Sequence, residues 1–100
     1  MAKDYIVRTA GEIAELKQAR ELYKKRFWIH SRSMDKQKRK SITKLFVKID
    51  RLRNHLKLWL KQLANNKPSN HDSYVKLIER GKNEIDYSFR QLDKELNQTA

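Results

Sequence analysis

The feature that most limits what this chain can become is a run of apolar residues across positions 42–63. Ile42, Leu45, Ile49, Leu52, Leu56, Trp59 and Leu63 follow one another at alternating intervals of three and four. That spacing is the a/d seam of a helix laid against other helices. Phe46 and Leu60 stand four residues beyond Ile42 and Leu56, so the seam widens into a stripe able to face two neighbours. The remaining positions carry Lys44, Lys48, Arg51, Arg53, Lys57 and Lys61 against a single acid, Asp50. One helix therefore supplies both the centre of a core and a cationic outer face.

The other segments supply its neighbours. With two glycines and one proline among 100 residues, the sequence predicts an all-α single domain, an antiparallel three-helix bundle with a long central second helix. Residues 1–8 read as a lead-in whose Tyr5, Ile6 and Val7 cover one end of the core. Thr9-Ala10-Gly11-Glu12 has the form of a capping box, which starts the first helix at about 9 and carries it to about 30. Ile13, Leu16, Tyr23 and Phe27 keep its register, interrupted by Arg20, and Leu22 and Ile29 form a second line.

Residues 31–36 are expected to turn, with Ser31 or Ser33 as N-cap and Asp35 in the first turn of the second helix, at about 34–64. A bent continuous helix is the competing reading. Asn65, Asn66, Lys67 and Pro68 end the second helix, and Ser69 or Asn70 caps a third, at about 70–97. On the third, Ile78, Ile85 and Leu92 recur every seven residues beside Phe89 and Leu96. Gly81 falls on the same face, where its lack of a side chain lets a bulky residue such as Trp59 approach. A seam as regular as that of the second helix also suits a coiled coil with a second copy.

Charge narrows the class of partner. The formal charge is +12, and residues 17–61 hold sixteen Lys/Arg against three acids, a net of +13. Such a surface attracts polyanions: nucleic acid, an anionic membrane or an acidic protein. There is no cysteine, and no apolar run approaches the length of a membrane span or a secretory signal. The expectation is a soluble intracellular protein.

Catalytic patterns are not found. His30, His55 and His71 are scattered, and only the adjacent His71-Asp72, which suits capping, brings one beside an acid. No phosphate-binding glycine loop, nucleophile elbow or calcium loop is present. Neither enzyme activity nor a cofactor or metal is expected.

The chemistry lies in the basic stretch. Lys24, Lys25 and Arg26 close the first helix, and Arg32, Lys36, Lys38, Arg39, Lys40 and Lys44 surround and follow the turn. Lysine and arginine there neutralise phosphates, giving affinity without reading sequence. Trp28 points about 100° away from Phe27, which leaves its indole either packed on the N-terminal lead-in or a neighbouring helix, or able to stack on a base. Lys36-Gln37-Lys38-Arg39-Lys40 also has the character of a nuclear localisation patch, and Ser41 after it reads either as an ordinary exposed helix residue or as a site suited to a basophilic kinase.

Leu22-Tyr23-Lys24 resembles the tripeptide carried in the first helix by the leucine-tyrosine-arginine motif family, small basic three-helix proteins of the mitochondrial matrix. Lys24 stands where that family has arginine, and the resemblance covers those three residues with general size and charge. It implies a mitochondrial adaptor.

The reading favoured by the residues is a non-catalytic domain that binds nucleic acid, RNA ahead of DNA, within a ribonucleoprotein or its assembly machinery. Nucleus or nucleolus comes before mitochondrion or cytoplasm. The alternative is an adaptor or small subunit of a larger complex, docking an acidic protein through the basic face. Peripheral binding to an anionic membrane ranks third, because the apolar residues of the second helix are committed to the core.

Overall fold

A computed structural model describes residues 2–65 and 71–97. Helix α1 spans Ala2–His30, a 3-10 turn spans Ser31–Ser33, α2 spans Lys36–Asn65 and α3 spans His71–Asn97. The three helices run up, down and up as an antiparallel bundle, with no strand among the described residues. The long second helix lies between the other two, packing most extensively on α3. The Ser69 or Asn70 cap and the 66–68 stop signal lie outside the described residues.

The apolar seam of α2 is the centre of the core. Ile42, Phe46, Ile49, Leu56, Leu60 and Leu63 are buried, with Leu45, Leu52 and Trp59 packed along their flanks. From α3 come Ile78, Ile85, Phe89, Leu92 and Leu96, and from α1 comes Ile13 with the half-buried Leu16, Tyr23 and Phe27. Gly81 stands where Leu56 and Trp59 press on α3: a Cβ there would lie 2.8 Å from Leu56 Cδ2 and 3.2 Å from Trp59.

The first helix begins seven residues before the expected start, and Thr9 is not its cap. Tyr5, Thr9, Ile13 and Leu16 recur at intervals of four, four and three, so the inward stripe continues through the capping-box motif. Thr9 is fully buried within it. Tyr5 anchors the added turn by donating its hydroxyl hydrogen to Glu79 Oε2 on α3 at 2.6 Å. The second line of Leu22 and Ile29 faces solvent, as does Val7.

The turn between α1 and α2 is sharp. Met34 is extended (φ −91°, ψ 143°) and buried, plugging the end of the core, which excludes the bent continuous helix. Neither serine caps α2. Ser31 and Ser33 donate back to the carbonyls of Trp28 and His30, and Asp35 is the cap, accepting the Lys38 N–H at 2.7 Å.

Candidate nucleic-acid interface

Rotation about the α2 axis decides which cations are free. The core seam fixes one side of α2; a second side turns toward α1 and a third toward α3. Lys48 lies 3.4 Å from Glu84 and over the Tyr87 ring, and Lys38 approaches Glu95 at 3.9 Å, so both are drawn toward α3. The only acid on α2, Asp50, is held by α1: Arg20 donates to its two oxygens at 2.5 and 2.9 Å while lying over the Phe46 ring. Over the first half of α2 what remains outward is a line of exposed cations, Lys36, Lys40, Lys44 and Arg51, flanked by Arg39. None of these five pairs with a carboxylate among the described residues. Successive cations four residues apart are separated by about 6 Å along the axis, and the line runs for roughly 22 Å.

Trp28 joins this line from α1. Its side chain is 67 % exposed, and with Lys24 and Phe27 it lines a shallow hollow closed on the α2 side by Thr43, Phe46 and Val47. Thr43 and Val47 also belong to the concavity between the α2 cations, so indole, valine methyls and ammonium groups form one continuous surface. The Phe27 and Phe46 rings, 6.0 Å apart, pack at its floor.

Of the other residues expected at the interface, Lys25 and Arg32 are exposed near Trp28 in sequence, on the last turns of α1 and on the 3-10 turn. Arg26 is turned away. It donates to Asp93 Oδ1 at 3.0 Å and Asn97 Oδ1 at 3.1 Å, and covers the Tyr23 ring. Arg51 was not among the expected contacts, yet it extends the outward line; its place seven residues after Lys44 was the available signal.

Four carboxylates of α3, Glu79, Glu84, Asp93 and Glu95, are engaged by α1, α2 or α3 itself. Asp93 accepts from Tyr23 at 2.8 Å, and Glu79 accepts from Tyr5 while Lys82 lies 3.0 Å from both Glu79 and Glu12. Burial and the Asp93 carboxylate raise the Tyr23 pKa, and burial with Glu79 raises that of Tyr5. The Tyr5 and Lys82 donors lower the pKa of Glu79. Tyr23, the centre of the Leu22-Tyr23-Lys24 tripeptide, thus packs on α3, its ring 5.1 Å from that of Phe89, while Leu22 and Lys24 are exposed.

Among the described residues no group of three or more His, Cys, Asp or Glu side chains could hold a metal ion, and no helix is long and apolar enough to cross a membrane. No family model matches the chain, and neither the curated proteins nor the solved structures contain a significant match.

Proposed function

We propose that the protein is a non-catalytic RNA-binding component of a ribonucleoprotein or its assembly machinery, with the outer face of α2 as its contact surface. The observation that carries this reading is the exposed indole of Trp28, continuous with a cationic line that holds no acid. Lys36, Lys40, Lys44 and Arg51 contact phosphates, with Lys24, Lys25, Arg32 and Arg39 at the margins. Trp28 supplies a platform for an unpaired base, the element that separates single-stranded RNA from a polyanion in general. A nuclear or nucleolar site of action accords with the basic run of residues 36–40, in which Lys36, Arg39 and Lys40 are exposed.

Titration with single-stranded RNA, duplex RNA and duplex DNA at several salt concentrations tests it. Submicromolar binding of single strands at physiological salt, with quenching of tryptophan emission that Trp28→Phe removes, is the expected result. Replacing Lys36, Lys40 and Lys44 together by Gln should reduce the slope of log K against log salt by about two, at roughly 0.7 per phosphate contact on a single strand. Unchanged affinity and slope in that variant would remove α2 as the contact surface. Loss of all binding at physiological salt in the native protein would leave the acidic-protein adaptor as the better reading.

A further inference from the structure

We infer that a second surface, the groove between the N-terminal half of α1 and the C-terminal half of α2, docks an acidic amphipathic helix from a partner protein. The two helices are antiparallel here and line the groove at the same helical spacing. Ile6, Ala10, Ile13 and Ala14 come from α1, and Leu60 and Ala64 from α2. The cavity has a volume of about 510 Å³. Farther along the same seam Phe27 and Phe46 fill the space between the helices, whereas here alanines leave it open. Residues 6–17 of α1 and 53–64 of α2 border it. That is a length of about 16 Å, or roughly three turns of a helical occupant.

The chemistry of the edge selects that occupant. Lys17, Lys57 and Lys61 are exposed along the groove, and no acid lines it among the described residues. Arg53, also in the lining, has its Nε and Nη1 buried with no hydrogen-bond acceptor among the described residues. Burial of guanidinium N–H groups without an acceptor is costly, and a carboxylate entering the groove offsets part of that cost through its charge. A second copy of this chain, with a charge of +12, would bring cations against cations. An amphipathic helix with leucines on one face and glutamates on its flanks satisfies both floor and edge, and the small alanines let its backbone approach. Arg20 and Asp50 close the groove on the side of Trp28, so this surface is separate from the proposed RNA contact.

The experiment is an NMR titration at physiological salt of the full chain, methyl-labelled, with a synthetic leucine–glutamate peptide. Its leucines stand at helical i, i+3, i+4 and i+7 spacing, and a scrambled peptide of the same composition is the control. Saturable one-to-one binding that shifts the Ile6, Ile13 and Leu60 methyls, with the scrambled peptide at least about tenfold weaker, is expected. Ala14→Trp fills the groove from an exposed position and should weaken peptide binding by about tenfold or more, leaving RNA affinity unchanged. Lys57→Glu with Lys61→Glu should weaken it similarly. Equal binding of the scrambled peptide, shifts centred on Val47, or no binding would each overturn the proposal. So would a response of the same methyls to phosphatidylglycerol vesicles but not to the peptide, which would assign the groove to a lipid surface. Should Ala14→Trp fail to fold, the methyl map of the native chain and the scrambled control decide alone.

Discussion

Two glycines in helix interiors stand in opposite surroundings. A Cβ at Gly11 would meet nothing within 4 Å, whereas one at Gly81 would collide with the buried Leu56 side chain. Alanine gains about 1 kcal/mol over glycine in a helix, while overpacking a core costs roughly 1–3 kcal/mol. Urea unfolding of Gly11→Ala should therefore show a gain of about 1 kcal/mol. Gly81→Ala should show a net loss of about 1 kcal/mol, the collision outweighing the propensity. A stabilised Gly81→Ala would mean that Leu56 and Trp59 have room to retreat. The close approach at Gly81 was legible in the sequence, because a glycine on an otherwise apolar helical face marks a neighbour seated against the backbone. The capture of Arg26 and Lys38 by α3 was not, because it depends on how far each helix is rotated about its own axis.

Tyrosine ionisation is tied to stability at the same scale. Burial, then the Glu79 carboxylate, raise the Tyr5 pKa above its ordinary value near 10, and Tyr23 is raised for the same reasons beside Asp93. A group whose pKa is higher when folded contributes stability that is whole below its unfolded pKa and is lost as pH rises through the folded one. Stability should thus decline above about pH 10, where the unfolded tyrosines begin to ionise. Tyr5→Phe should be less stable at neutral pH and show a shallower alkaline decline in denaturant titrations. An identical pH profile would show that the Tyr5–Glu79 hydrogen bond contributes nothing to holding α1 on α3.

The elements differ in how firmly each is held. The α2–α3 interface is a continuous apolar seam. Among the described residues α1 contributes a single buried hydrophobic side chain, Ile13, and otherwise attaches through half-buried apolar and aromatic side chains and polar bonds. Exposed and part-buried polar pairs add little each. Amide hydrogen exchange should accordingly show the first turns of α1 opening at lower free energy than the centres of α2 and α3. Equal protection throughout would mean that the bundle opens only as a unit. Heptad spacing alone makes the second and third helices plain. The start of the first was misplaced because a capping-box pattern is local, and the continuing inward stripe of Tyr5, Thr9 and Ile13 overrides it through tertiary contacts. Where α2 turns its cations was half legible: the seam fixes which positions face inward, and Lys36, Lys40, Lys44 and Arg51 follow as the far side. The hollow at Trp28 and the alanine groove were not, since each needs the distance between two helices.

At the scale of the whole molecule, three helices of nearly equal length lie side by side, with extents of 51 × 19 × 16 Å. A rod of those proportions has far more surface for its mass than a sphere and meets more drag in solution. On a gel-filtration column it should emerge ahead of a spherical protein of 12.1 kDa, at a position easily mistaken for a dimer. Its tumbling is also unequal in different directions, slow end over end and faster about the long axis. Nitrogen relaxation rates will then vary with bond direction in a body that is uniformly stiff. Amides along the helices relax as though attached to a larger particle, while those in the 31–33 turn point elsewhere and relax as though freer.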